Sequence, residues 1–151
     1  MIQSLNLPKA PLKLSRKDDT VYVLCEIRNK KLKLTPEEWV RQHVIHFLIT
    51  HKNVPKGVIA SEQTIQVNGL TRRCDLVVYN ILGKPILLVE CKAPEIHLSE
   101  KALHQIAQYN SNLHVDYLMI TNGNEHFNCY INREKSTFDF LESLPNWNDI
   151  T

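Results

Sequence analysis

With 151 residues, 43% hydrophobic and 23% charged, the chain has the length of one domain and a globular composition, which argues against a disordered chain. No run approaches 18 apolar residues and the start lacks a signal-peptide hydrophobic region, so the expectation is a soluble, cytoplasmic chain with no membrane partner. The net charge of +2 is uneven: residues 1–34 hold eight Lys/Arg against three Asp/Glu, and residues 35–151 hold ten against thirteen. A basic arm of this kind could meet phosphates, although a solvated lysine-bearing hairpin accounts for so weak an asymmetry more simply.

Residues 1–19 are polar and interrupted by prolines, and are predicted to be irregular. Thr20–Ile27 is rich in β-branched and apolar residues, and Lys31–Leu34 follows a polar turn, so the two read as a hairpin. Thr35-Pro36-Glu37-Glu38 is a helix start, with Thr as N-cap, Pro at the first helical position and acids in the first turn. Val40, Val44, Phe47 and Leu48 recur at helical spacing and predict an amphipathic helix to about His51. Three strands follow, over Glu62–Val67, Arg72–Tyr79 and Pro85–Lys92, with Asn68-Gly69 as the first turn. The continuously apolar Ile86–Val89 marks a strand covered on both faces. A helix is predicted from about Ser99 to Leu113, with Ala102, Leu103, Ile106, Ala107 and Tyr109 inward. Asp116–Thr121 is a further core strand, and Phe127–Asn132 with Thr137–Leu141 a closing hairpin.

The predicted fold class is α/β: a mixed sheet with an α-β-β-β-α-β core plus terminal β-hairpins. All of 1–151 is expected to form a single domain, with 1–34 a basic N-terminal extension and hairpin, 35–124 the core, and 125–151 a C-terminal hairpin and tail. Cys25, Cys74, Cys91 and Cys129 form no CxxC pair, and Cys74 and Cys91 lie inside strand-like runs, as reduced buried thiols do. His43, His46 and His51 cluster in sequence, but no cysteine pair joins them, so zinc is disfavoured.

The residues with chemistry in them are charges set in strand-like runs: Asp75 in Arg73-Cys74-Asp75-Leu76-Val77-Val78, and Glu90-Cys91-Lys92 closing Pro85-Ile86-Leu87-Leu88-Val89. Charges are seldom buried without a partner or a metal. Strand alternation puts Glu90 and Lys92 on one face, and puts Asp75 with Val77 and Tyr79. In the obvious hairpin register Asp75 lies beside the Glu90/Lys92 pair. Hard cations such as Mg²⁺ take carboxylate oxygens, and a polarised water can then attack phosphorus while a lysine offsets the developing charge. An ExK alone is weak, because Glu and Lys each occupy about 6% of positions and one chance match is expected in roughly every other protein of this size. Placement after an apolar strand, with an Asp in a second apolar strand, is much rarer. Gln105 and Tyr109 share one face of the following helix, which could look back at the sheet edge. Glu37 falls at the edge of the apolar stripe of the first helix, and Glu38 points about 100° away.

Asp75, Glu90-Cys91-Lys92 and Gln105-x-x-x-Tyr109, in that order, resemble the PD-(D/E)xK nuclease superfamily. More closely they are similar to the N-terminal nuclease domain of type I restriction enzyme R subunits, whose variant adds a QxxxY motif after ExK. The resemblance runs from about Thr35 to Gly123, including Thr35–Arg41, Arg73-x-Asp75, Val89–Pro94, Gln105–Asn110 and Thr121-Asn122-Gly123. It implies a restriction-endonuclease-like fold and a Mg²⁺- or Mn²⁺-dependent DNA endonuclease. Asp75, Glu90 and the backbone carbonyl of Cys91 would then ligate the metal, and Lys92 would position the attacking water. Glu37 would bind a second metal or orient a water, and Gln105 and Tyr109 would support the site or touch DNA. Implied partners are DNA and a motor or restriction-modification subunit. A homodimer is a further expectation, since duplex cleavage usually needs two sites. Cys74 stands where the motif has proline, and the 151 residues contain no GxxxxGK[ST] phosphate loop, so the expectation is a stand-alone domain or the partner of a motor. The alternative is a non-catalytic DNA-binding or subunit-assembly module of the same fold.

Overall fold

Thr35, two residues past the last strand of an N-terminal sheet, starts the first helix. Its hydroxyl accepts the Glu38 N–H at 3.0 Å and Pro36 follows, so α1 spans Pro36–His51 as predicted. The computed structural model describes residues 2–67 and 69–151. Asn68 of the expected Asn68-Gly69 turn lies outside them. The expectation of an amphipathic α1 is corrected: Glu38, Val40, Arg41, Gln42, His43, Val44, Ile45 and Leu48 are all buried. The physical reason is that α1 is packed from more than one side. Its apolar residues share a cluster with Leu76, Val89 and Cys91 of the main sheet and with Cys25 and Leu32 of the N-terminal one.

The N-terminal sheet has three antiparallel strands, β1 (Leu14–Lys17), β2 (Thr20–Cys25) and β3 (Lys30–Lys33). The predicted irregular stretch 1–19 therefore contains a strand, and the predicted hairpin is the rest of a three-stranded sheet. β1 reads Leu-Ser-Arg-Lys and buries none of these residues, so it has no apolar alternation to detect. It forms by backbone pairing to β2 across a two-residue Asp18-Asp19 turn, with Asp18 at φ 54°.

The main sheet has six strands in sequence order: β4 (Ile59–Val67), β5 (Leu70–Tyr79), β6 (Pro85–Cys91), β7 (Tyr117–Thr121), β8 (His126–Asn132) and β9 (Thr137–Leu141). Only β6–β7 is parallel, as the crossover through α2 (Glu100–Ser111) requires. The order α1-β4-β5-β6-α2-β7 is the α-β-β-β-α-β core read from sequence. β8 and β9 extend that sheet instead of framing it separately. A short helix, α3 (Trp147–Ile150), was not predicted; Trp147 Nε1 donates to the Tyr79 carbonyl at 3.1 Å. Among the described residues no helix is long and apolar enough to cross a membrane.

The sheet separates two apolar clusters, as the continuous Ile86–Val89 run implies. Val89 and Cys91 face α1, whereas Leu88 packs with Leu103 and Ala107 of α2. Ser99 caps α2 through the Ala102 N–H, at 3.2 Å. Its inward stripe is Leu103, Ala107 and Asn110, with Ile106 half-buried; Tyr109, expected inward, is 54% exposed. All four cysteines are free and buried.

Side-chain alternation in β5 breaks at one place. Cys74 and Val77 belong to the α2-side cluster, Leu76 and Val78 to the α1-side cluster. The break falls at Asp75, and opposite it Glu62 takes φ 51° between the regular pairs Ser61–Leu76 and Gln63–Cys74. The expectation that Asp75, Val77 and Tyr79 share a face fails for this reason: a kinked ladder turns Asp75 toward α1, while Val77 and Tyr79 stay with α2.

Candidate active site

Two arginines organise the charges. Arg41 projects from the second turn of α1 and its side chain is only 6% exposed. Its Nη1 lies 2.6 Å from Glu38 Oε1 and its Nη2 lies 3.0 Å from Glu37 Oε1 and 3.1 Å from Asp75 Oδ1. Glu62 Oε1 is 3.7 Å from Nη1. One buried guanidinium thus gathers four carboxylates from α1, β4 and β5. Burial lowers the pKa of Arg41, but Glu38 first, then Asp75, Cys91 and Glu62, outweigh it and the net shift is upward. Glu38 is further held by Gln42 Nε2 at 2.9 Å.

The second carboxylate oxygen of Asp75 is tied to the neighbouring strand. Oδ2 accepts the backbone N–H of Cys91 at 2.7 Å. The register agrees: Leu76 opposes Val89, so Asp75 and Glu90 come next on their strands. The structure therefore brings Asp75 to the end of β6, beside the residues that carry ExK. It also brings Glu37 to Asp75, since both touch the same nitrogen.

Glu90 has a different partner. Its carboxylate is paired with Arg72 of β5, whose guanidinium carbon sits 4.6 Å from the centre of the Tyr109 ring on α2. Asp75 turns toward α1, whereas Glu90, which opposes Ile120 of the α2-side cluster, pairs with Arg72 of β5 on the α2 side. The expected placing of Asp75 on one face with Glu90 is therefore corrected, because the ladder breaks at Asp75. Gln105, one turn before Tyr109, is exposed. The Cys91 side chain is buried, and burial first, then Asp75, pushes its thiol well above the ordinary value, so only its backbone is available as a ligand. Lys92 continues the ladder through its N–H, 2.8 Å from the Thr121 carbonyl.

The strand end is braced from below. Thr121 Oγ1 accepts the Gly123 N–H at 2.9 Å, and Asn122 Oδ1 accepts the N–H groups of Asn124 and Glu125 at 2.9 and 2.8 Å. Gly123 has φ 89° and a Cβ there would lie 2.8 Å from Leu5 Cδ2, so the Thr-Asn-Gly turn depends on glycine. His43, of the disfavoured zinc set, is packed on Trp39 with Nδ1 2.8 Å from the Trp39 carbonyl.

The sequence did not single out Arg41, Glu62 or Arg72, and it set Glu37 toward the core with Glu38 turned away. The structure reverses these two, with Glu38 buried against Arg41 and the Glu37 side chain 44% exposed. The signal for Arg41 was present: a cation four residues after Glu37 and three after Glu38, inside an apolar helix. Glu62 and Arg72 carry no local signal, because their roles depend on strand pairing.

The chain belongs to the type I restriction enzyme R protein N-terminus family, whose model matches residues 36–145. Among solved structures, the fold is similar to a fragment assigned to the HsdR subunit of a type I restriction enzyme from Vibrio vulnificus YJ016. That match has a TM-score of 0.54 and 19% identity, and covers 76% of this chain and 24% of the other. The chain thus spans about a quarter of that fragment's length. No curated protein matches it. The α/β class and the core order expected from the resemblance are those of the structure.

A hard divalent cation fits the chemistry of the donor set, which offers carboxylate and carbonyl oxygens. The arrangement is less complete. Among the described residues no three His, Cys, Asp or Glu side chains converge as a metal-binding group. Instead Asp75 is paired with Arg41 and Glu90 with Arg72, and Arg41 Nε and Arg72 Nε are buried without a hydrogen-bond partner.

Proposed function

We propose that the chain is a metal-dependent DNA endonuclease domain acting within a restriction system. The observation that carries this reading is the 2.7 Å hydrogen bond from the Cys91 N–H to Asp75 Oδ2, which joins the motif Asp to the strand bearing Glu90 and Lys92. Mg²⁺ or Mn²⁺ would be held by Asp75, Glu90 and the Cys91 carbonyl. When bound, such an ion polarises a water and offsets charge on the phosphoryl oxygens.

The chain's own residues supply the rest. Lys92 orients the water and adds positive charge where negative charge develops. Glu37, already beside Asp75, serves as a further carboxylate for a second ion or a water. To join Asp75, the Glu90 carboxylate has to leave Arg72, and the freed guanidinium, resting on Tyr109, is then a cation at the substrate edge. Gln105 lies on the same helix face and would contact DNA. A motor or modification subunit as partner, and pairing of two copies for duplex cleavage, belong to the same reading.

Plasmid nicking in Mg²⁺ or Mn²⁺ tests it. Asp75→Ala and Lys92→Ala should each abolish nicking while the circular dichroism spectrum is kept; full nicking by both removes the assigned roles. The arginine pairing of both acids favours one rival, a non-catalytic DNA-binding or assembly module of this fold. Calorimetry separates the two: a metal-binding isotherm lost in Glu90→Gln supports the nuclease, and a metal-blind protein that still binds DNA supports the rival.

A further inference from the structure

The N-terminal sheet lies outside the family-matched residues 36–145 and carries a charge pattern that the nuclease reading leaves unused. One face of this sheet is defined by register. Ser15 opposes Tyr22, which opposes Lys33; Leu24 opposes Lys31 and donates its N–H to the Lys13 carbonyl at 3.0 Å; Lys17 opposes Thr20. Lys13, Lys17, Lys31 and Lys33 therefore share one side with Ser15 and Tyr22. The other side carries Val23 and Cys25, both fully buried, and Leu32. No Asp or Glu occurs in any of the three strands.

All four lysines are exposed, and the one lysine ion pair among the described residues is elsewhere, between Lys56 and Glu26. Strands are about 4.8 Å apart and alternate residues about 6.7 Å apart along a strand. Four ammonium groups thus cover a patch of roughly 10 by 13 Å, with the Ser15 and Tyr22 hydroxyls and the half-buried Leu24 among them. Phosphate oxygens are bound by this combination of Lys with Ser and Tyr hydroxyls. The patch is also close to the acids: Lys33 precedes Glu37 by four residues, so their Cα atoms are at most about 14 Å apart. Arg28, in the β2–β3 turn, is paired with Glu62 of the Arg41 cluster and ties the sheet to the site.

We infer that the lysine face of the N-terminal sheet is a docking surface for the phosphate backbone of duplex DNA, holding it beside the acidic end of β5 and β6. The inference rests on the reading of DNA as substrate and adds a binding surface to it. Contacts to phosphates carry no sequence information, so binding here is sequence-independent.

The test is binding of a fluorescent 30-base-pair duplex to the full chain in EDTA, measured by anisotropy across a salt series. If each lysine takes one phosphate, Lys31→Ala/Lys33→Ala lowers the slope of log K against log salt by about 1.8 and weakens binding about 30-fold near 0.15 M salt. The charge-matched control Lys84→Ala/Lys135→Ala, on turns elsewhere, should leave both unchanged. An unchanged slope in the first pair, an equal loss in the control, or no duplex binding by the parent chain overturns the inference. Its failure is separable from that of the nuclease reading. Loss of binding only in Lys31→Ala/Lys33→Ala, in a chain that never nicks plasmid, supports the face and sinks the nuclease. Nicking with wild-type binding in that variant does the reverse.

Discussion

Replacing Arg41 with methionine removes a guanidinium that touches four carboxylates while keeping much of the buried stem. Arg41 and Glu38 are 6% and 8% exposed, so this pair belongs to the buried class. Removing one partner of a buried pair leaves an uncompensated charge and costs about 3–5 kcal/mol. Asp75 and Glu62 are more open, at 22% and 28%, and add less. Set against a total stability of about 5–15 kcal/mol, the variant should be folded but marginal. In a chain of this size the loss corresponds to a fall in Tm of roughly 6–20 °C. Urea unfolding followed by circular dichroism measures it. Adding Glu38→Gln should recover part of the loss, because the orphaned charge is then gone; a coupling of about 0.5–3 kcal/mol between the two sites is expected. An Arg41→Met protein within about 1 kcal/mol of wild type, or a Glu38→Gln addition that only destabilises further, would refute the view of Arg41 as the centre of this cluster.

Other expectations follow from single contacts. Gly123→Ala places a Cβ 2.8 Å from Leu5 and forces φ 89° on an L-residue, so it should cost about 2–3 kcal/mol and expose the arm around Leu5 to protease; unchanged cleavage there would refute the packing argument. Burial raises the Cys129 thiol from 9.0 to about 11. A raised folded pKa gives stability that is present below pH 9 and lost as pH climbs to about 11, so stability should fall by about 2–3 kcal/mol over that window, in urea melts, and Cys129→Val should flatten the fall. Thr35→Ala removes the hydroxyl that accepts the Glu38 N–H and should cost about 1 kcal/mol in the same assay. Tyr109→Ala removes the ring under Arg72, a contact worth about 0.5–1 kcal/mol, and the Arg72–Glu90 pair should tolerate it; a loss above about 2 kcal/mol would mean that Tyr109 does more than stack.

What was legible in the sequence was what local rules encode. Thr35-Pro36 started α1, the apolar Ile86–Val89 run marked a strand covered twice, and the β-β-β-α-β order after α1 followed from turn residues and periodicity. β1 was not legible, because Leu14–Lys17 is an edge held by backbone bonds and its side chains report nothing about burial. Of the candidate site, the closeness of Asp75 to the Glu90 strand was legible and the faces the two acids take were not. Simple alternation put Asp75 with Val77 and Tyr79, but Glu62 at φ 51° interrupts β4 opposite Asp75, and the carboxylate turns to Arg41 instead. A kink in one strand that redirects a side chain in its neighbour is invisible to any reading of one strand at a time. The consequence is chemical. At the point where the ladder breaks, Asp75 can accept the Cys91 N–H with one oxygen and Arg41 with the other. A regular strand residue has its carboxylate on one face and would not bridge the backbone of β6 and the side chain of α1 together. The irregularity is therefore what links the first helix to the ExK strand. Restoring regularity there, by a change that keeps the acid and removes its freedom, should separate Glu37 from Asp75 without altering either residue.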